Sequence, residues 1–335
     1  MGRSKWTLFN DFIQVAYNSK SIEEILGILP SFLCSALQAE KMIFCQVNVL
    51  LEEVAILKNY GYRQEELEEV KAILKKGSLV AADERKKLLV SPLPQEDSFC
   101  NHVLLVKGKK KFPFYFDQED QEIFNTIVYQ LALLIKNFSL LESGKRTFLD
   151  TIQTLARTID ARCENTKGHS ERVTQYSVSI AAALGWSEEQ MEQLRQAALL
   201  HDVGKVGIPD NILKKEGPLT DKEWEEMKKH PLYTVLILNG VAGLQTILPM
   251  AQYHHERYDG KGYPAGISGE DIPLGARIIA VADAFDAMTA DRVYRKAMSV
   301  SRAVEIIKEC AGTQFDPQVV SVFTKMLDKK GNLMN

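Results

Sequence analysis

From Phe124 to Ile159 apolar residues recur at one spacing that few folds accept. Phe124, Ile127, Leu131, Leu134, Phe138 and Leu141 stand 3-4-3-4-3 apart, and the register resumes at Phe148, Ile152, Leu155 and Ile159 with Lys145 at the one polar position of the seam. That period lays every member on one stripe of an α-helix and cannot be a strand, whose faces alternate every second residue. A seam of roughly five heptads predicts a parallel coiled-coil stalk, and so a homodimer through the helix 124–159. A competing reading packs its first half on the preceding module and lets its second half open the next core. Gly144 and Lys145, which interrupt the seam, favour that alternative.

A long helix near the middle of 335 residues divides the chain. Residues 1–140 mix short segments of both kinds. "KMIFCQVNVLL" (Lys41–Leu51) and "NHVLLVKGKKKFPFYF" (Asn101–Phe116) carry the β-branched and aromatic residues that suit a sheet. Between them "RQEELEEVKAILKKG" has Leu67, Val70, Ile73 and Leu74 at helical spacing and Gly77 as a C-cap. This predicts an α+β module with an antiparallel sheet.

From about Thr147 to 335 the chain reads as all-helical. Ser187 with Gln190 makes a capping box, after which Met191, Leu194, Ala198 and His201 share a face. Thr220 with Glu223 makes a second, opening a helix that leads to His230, and Pro249 is placed to start a helix carrying His254 and His255. "ARIIAVADAFDAMTA" is almost wholly apolar apart from Asp283 and Asp286, so it is buried and its acids need partners.

The totals exclude several function classes. An apolar share of 45% and a charged share of 25% are those of an ordinary globular protein. A net charge of -3 argues against DNA or RNA as a partner. Five cysteines without a C-x-x-C pair read as reduced thiols, with no zinc site built on cysteine. No apolar run approaches the ~18–20 residues that span a bilayer, and MGRSKWTLFN has no signal-peptide core. The expected location is the cytoplasm, without a membrane partner.

Five of the six histidines fall within the helical part: His169, His201, His230, His254 and His255. A single histidine on an apolar helix is usually a packed core residue, but five in one domain, joined by Asp202 and Asp283, are not. Imidazole plus carboxylate without thiolate is a donor set for iron or manganese, with zinc less favoured. Within "LLHDVGKVGIPD", His201 offers a nitrogen and Asp202 a carboxylate able to bridge two ions. Lys205, three residues on, points the same way on a helix and is placed to meet a phosphate oxygen, while Gly204 and Gly207 would let backbone approach a substrate.

Residues from about 150 to 327 resemble the HD-GYP domain, a branch of the HD metal-dependent phosphohydrolases. The resemblance rests on His201-Asp202, on Gly262-Tyr263-Pro264, and on "KKHP", "HHERYDGKGYP", "IPLGARIIAVADAFDAMTADRVYR" and "GTQFDP" in that order. It implies hydrolysis of cyclic di-GMP to pGpG, with slow onward cleavage to GMP. His169, His201, Asp202 and Asp283 would hold one ion, and Asp202 would bridge to a second held by His230, His254 and His255. Two divalent ions per subunit, iron or manganese, would share the hydroxide that attacks phosphorus as the 3′ oxygen leaves. Asp202 and Lys205 are the catalytic candidates. Lys205, Arg292 and Arg295 would contact phosphate and Tyr263 the nucleotide, with Asp259-Gly260 shaping the loop. Some members of the family hold a third ion through a glutamate four residues before the first ligand histidine. Asn165 stands at that position here and Glu164 beside it, so two ions are expected. Alternatives are a signalling adaptor of weak turnover, or a hydrolase of another cyclic dinucleotide such as cyclic GMP-AMP.

The N-terminal β-α-β order and the helix after "FDQEDQEIFN" resemble a GAF domain, a small-molecule or redox sensing module that would regulate the second domain. No residue set there marks a haem, metal or cyclic-nucleotide pocket, so its small-molecule ligand is unidentified, and His102 and Cys100 read as structural. The expected architecture is an α+β GAF-like domain, a helical linker and an all-α HD-GYP domain.

Overall fold

The computed structural model describes residues 4–48, 51–75, 88–93, 100–109, 116–162, 168–291 and 296–331. Contacts divide the chain into two units, Met1–Arg146 and Thr147–Asn335.

The first unit opens with α1 (Lys5–Asn18) and α2 (Ile22–Ala36), capped by Ser4 and Ser21, whose hydroxyls accept from the amides of Thr7 and Glu24. Four strands follow around one helix: β1 (Ala39–Asn48), β2 (Glu53–Tyr60), α3 (Gln64–Lys75), β3 (Leu88–Pro92) and β4 (Cys100–Lys109). The sheet is antiparallel throughout, in the order β2-β1-β4-β3. Strand alternation sorts its two faces. Met42, Phe44, Leu104 and Val106 join the core of α1 and α2. Ile43, Cys45, Val47, Val103 and Leu105 pack with Leu67 and Leu74 of α3. Both faces are covered by helices, which gives the α+β arrangement expected of a GAF-like module. His102 stacks on Phe44 at 5.5 Å between ring centres, in keeping with a structural role. The Cys100 side chain and Gly77 lie outside what the structure describes.

The apolar seam becomes one helix, α4 (Gln118–Arg162), and Gly144 and Lys145 do not break it. Its seam is nevertheless not one stripe. Phe124, Ile127, Leu131 and Leu134 are buried in the first unit's own core with Met42 and Phe44. Ile152 and Ile159, with Ala156, are buried in the second unit, whereas Leu141 and Leu155 are 70% and 46% exposed. A straight α-helix drifts by ~20° per heptad against a 3.5-residue repeat, so Ala156 takes the place the heptad reserves for Leu155. The expected intersubunit seam is therefore corrected at Phe124–Leu134, whose side chains are already spent inside the protomer. By length and composition alone, α4 is long and apolar enough to cross a membrane. That corrects the expectation that no run approaches this length, although its apolar side includes core residues of the first unit.

The second unit is helical: α5 (His169–Ala183), α6 (Glu188–Leu200), a 3-10 turn (Val203–Gly207), α7 (Asp210–Leu213), α8 (Asp221–Met227), α9 (His230–Leu238), α10 (Leu248–Gln252), α11 (Leu274–Thr289), α12 (Val300–Glu309) and α13 (Pro317–Gly331). Both expected capping boxes form, Ser187–Gln190 on α6 and Thr220–Glu223 on α8. The helix opened by Thr220 does lead to His230 but ends three residues before it, and His230 opens a new helix. Pro231, in the first turn of α9, has no amide to continue a preceding helix, so α8 ends at Met227. Pro249 does open α10, but that helix stops at Gln252, leaving His254 and His255 beyond its end rather than on it. Val173, Ile180, Leu194, Ile278, Ile279, Phe285 and Phe323 form part of the unit's core.

Candidate metal centre

Five helix ends and one buried helix carry the ligand candidates. Gly168, left-handed at φ 69°, turns the chain so that His169 is the first residue of α5. His201 closes α6, Asp202 precedes the 3-10 turn, His230 opens α9, and His254 and His255 follow α10. Asp283 comes from the middle of α11. His201, His230 and His254 are at most 1% exposed and Asp202 5%. The turn reaches α9 because residue 204 is glycine. A Cβ there would lie 1.9 Å from the His230 carbonyl oxygen. Gly204 and Gly207 were expected to admit a substrate; instead they admit α9, with Tyr233 against Gly207.

Three histidines share one arrangement. Nδ1 of His201, His230 and His254 meets the carbonyl three residues earlier, of Ala198 at 2.6 Å, Met227 at 2.8 Å and Ala251 at 2.6 Å. A carbonyl can only accept, so Nδ1 carries the proton and Nε2 keeps its lone pair. All three Nε2 atoms are buried without a hydrogen-bond partner, as is Asp202 Oδ1.

Asp202 lies between two groups of donors. Its Oδ2 faces His201 Nε2 at 3.4 Å and His169 Nε2 at 4.0 Å, and Lys205 Nζ donates to the same oxygen. Its Oδ1 faces His230 Nε2 at 3.3 Å and His254 Nε2 at 3.9 Å. The donor atoms of Asp202, His230, His254 and His255 lie within 4.8 Å of one another, as do those of His169, His201 and Asp202. Asp283 Oδ1 is 3.3 Å from His169 Nε2. Buried lone pairs aimed at a common carboxylate fit divalent cations, and among the described residues no donor meets them.

The charge states of Asp202, Asp283, His254 and His255 agree with that chemistry. Burial would push the Asp202 carboxyl up, but Lys205 and His201 hold it well below the usual carboxylate range. Burial also opposes ionisation of Asp283, which hydrogen bonding to His169 more than offsets. Burial, then His255 and His201, keep His254 neutral, and burial with His230 pushes His255 down to about 3. His169 differs: burial would lower it, but hydrogen bonds to Asp283 and Asp286 raise it to about 10.

Several contributors were not assigned roles from the sequence. Asp286 Oδ2 takes a hydrogen bond from His169 Nδ1 at 2.7 Å, and Arg172 clasps the same carboxylate through Nε at 2.6 Å and Nη2 at 3.0 Å. The signal was present in the spacing, since Asp286 is three residues from Asp283 and so on the same helical face. Glu256, 3% exposed, accepts from the amides of Ala265 at 2.6 Å and Gly266 at 3.0 Å, tying down the loop after Gly262-Tyr263-Pro264. A Cβ at residue 262 would lie 2.4 Å from the Arg257 nitrogen, so only glycine fits there. The Tyr263 ring stands 4.9 Å from that of His255 and 6.4 Å from that of Trp224, and burial pushes its phenol up, so it stays protonated. Asp259 pairs with Arg257 rather than with a ligand candidate. Arg292 and Arg295 lie outside the described residues, as do Glu164 and Asn165.

Comparison with known proteins gives the same region. A family model described as an HD domain matches residues 153–319. The "3'3'-cGAMP-specific phosphodiesterase 3" of Vibrio cholerae is 42% identical over 182 residues, covering 54% of this chain and 40% of the relative. The "Cyclic di-GMP phosphodiesterase response regulator RpfG" of Xanthomonas campestris is 42% identical over 178 residues, covering 52% and 47%. A solved cyclic GMP-AMP-specific phosphodiesterase of V. cholerae aligns at 32% identity with a TM-score of 0.36, over 64% of this chain and 53% of that one. The chain thus spans about half the length of the curated relatives it matches.

Proposed function

The chain belongs to the HD domain family through residues 153–319, and from that premise we propose that it is a metal-dependent phosphodiesterase opening cyclic di-GMP to linear pGpG, with slow onward cleavage to GMP. The observation that carries this reading is Asp202, a buried carboxylate whose two oxygens face two separate sets of histidine nitrogens. His169, His201, Asp202 and Asp283 are assigned to one ion, and Asp202, His230, His254 and His255 to the other. Without a thiolate in the set, iron or manganese is the assigned metal. Divalent ions at such a site supply Lewis acidity toward phosphate and lower the pKa of water toward about 7.

The chain's own residues do the rest. Lys205 offsets charge gathering on the phosphate oxygens as the 3′ oxygen leaves. Tyr263 offers a ring face to the nucleotide, and Arg292 and Arg295 are assigned to its phosphates. The first unit is assigned a regulatory role through an unidentified small molecule. A homodimer is retained through the exposed stretch of α4, where Leu140 and Leu141 are 59% and 70% exposed. The cytoplasm is the assigned location, with which the free thiols of Cys45 and Cys310 agree.

A second reading, hydrolysis of cyclic GMP-AMP, is supported by the relative named for that activity. Anaerobically prepared protein, loaded with iron or manganese and offered several cyclic dinucleotides, decides between them by the product chromatogram. Metal-loaded protein that opens none of them would sink both readings and leave the adaptor.

A further inference from the structure

Arg162, the last residue of α4, spends its whole guanidinium on one short stretch of chain. Nη1 donates to the carbonyls of Lys205 and Val206, each at 2.9 Å. Nη2 donates to the Ile208 carbonyl at 2.9 Å and to Asp210 Oδ1 at 2.5 Å, and Nε donates to that same oxygen at 3.1 Å. All five N–H groups are used. Three of the four acceptors are backbone carbonyls of the 3-10 turn and its exit, the turn that begins after Asp202 and carries Lys205.

A 3-10 turn holds its own shape poorly, because its internal hydrogen bonds are badly aligned. Here they are Lys205 N to Asp202 O at 2.9 Å and Ile208 N to Lys205 O at 3.1 Å. The turn's first half is fixed from the other side, where Gly204 N donates to Thr234 Oγ1 at 2.9 Å on α9. Its second half is fixed by Arg162. Lysine has no planar fork and cannot reach three diverging carbonyls and a carboxylate at once.

We propose that Arg162 is a positioning residue for the reaction: it makes the end of α4 the fixed reference that holds Lys205 beside Asp202. This rests on the assignment of Lys205 to the phosphate. A merely stabilising role is the weaker account. The Asp210 side chain is 56% exposed, and ion pairs so exposed contribute little. A reactive group displaced by ~1 Å, in contrast, can cost ~100-fold in rate.

The test is a double-mutant cycle. Wild type, Arg162→Gln, Arg162→Lys, Lys205→Ala and Arg162→Gln/Lys205→Ala are assayed with bound metal and melting temperature measured for each. Cyclic di-GMP and bis(p-nitrophenyl) phosphate are run in parallel. Arg162→Gln should lower kcat by ~10- to 100-fold with KM within about twofold, and Arg162→Lys should not rescue it. In the Lys205→Ala background the same change should have no further effect. Effects that multiply, or a loss of kcat matched by loss of metal or of folded protein, overturn the proposal. Lys205→Ala with wild-type kinetics overturns both it and the assignment beneath it. Turnover of the simple diester alone would refute the cyclic dinucleotide reading and leave the cycle to be read on that substrate.

Discussion

The two units bury different things. Of fifteen buried polar or charged residues among those described, only Asp120 belongs to the first unit and the other fourteen to the second. Asp120 is satisfied by its own chain, with Lys5 Nζ at 2.8 Å and the Asp117 amide at 3.1 Å. His201, His230, His254 and Asp202 each leave a buried atom unpaired. A buried polar atom without a partner costs ~1–3 kcal/mol, so three imidazoles and a carboxylate left this way are a standing cost to folding. Among the described residues the first unit leaves one buried side-chain atom without a partner, the Tyr62 hydroxyl, whereas the second gathers four of them around Asp202, the arrangement a bound cation would complete.

The hardest blow to that contrast would come from Asp202→Ala. If the second unit's polar burial exists to hold ions, removing the shared carboxylate takes away several kcal/mol of transition-state stabilisation. That corresponds to a loss of turnover of roughly a thousandfold or more. Metal analysis and activity of the purified variant check it, and near-wild-type turnover with metal retained would break the comparison outright.

Next in size is Leu131→Ala, which probes the first unit. Leu131 is 1% exposed inside the core shared with Phe44 and Phe124. A buried leucine truncated to alanine costs ~2–5 kcal/mol, and that cost should not depend on protein concentration, because the side chain packs within one protomer. Denaturant unfolding at two concentrations tests this. A variant of unchanged stability that fell apart into monomers would restore the intersubunit seam.

These two residues also show what the sequence could and could not disclose. Leu131 was legible as apolar and helical, because periodicity reports the face a residue occupies. It cannot report whether that face meets another subunit or the chain's own sheet, and the sheet won. Asp202 was legible by residue type and by its neighbour His201. What one-dimensional spacing could not supply was the partition of its two oxygens, which depends on α6, α9 and the end of α10 converging from distant parts of the chain. The helix end at Gln252, short of His254 and His255, was not legible for a similar reason: Pro249 marks where a helix begins and says nothing of where it stops. Arg162 was invisible because all its partners save Asp210 are backbone, and carbonyl groups have no sequence signature.

A gentler probe of the second unit is Asp286→Asn. The carboxylate orients His169 and is itself held by Arg172. Loss of such a supporting group typically weakens metal binding ~10–100-fold. Titration of the apo protein with manganese measures it, and unchanged affinity would show that His169 needs no orienting partner.

The smallest expected effect belongs to the first unit, at Glu66, where a carboxylate is again held in its charged form but by the chain alone. Its Oε2 accepts from the Arg63 amide at 2.8 Å, and Oε1 pairs with Lys41, joining α3 to β1. The Arg63 amide first, then Lys41, pull the carboxyl down to about 2. An unfolded glutamate titrates near ~4.3, so the folded state favours the charged form. The contribution to stability is therefore fully present above that unfolded value and is lost as pH falls from there toward 2. Glutamine keeps the shape and an acceptor but not the charge. Glu66→Gln should accordingly melt slightly below wild type at pH 7, and the gap should shrink steadily once the pH drops under ~4.3. Because the pair is near the surface, added salt should shrink it as well. A gap that widened with acid would reverse the sign of the linkage. It would mean that folding raises the Glu66 carboxyl above its unfolded value, so that neither the Arg63 amide nor Lys41 holds it charged.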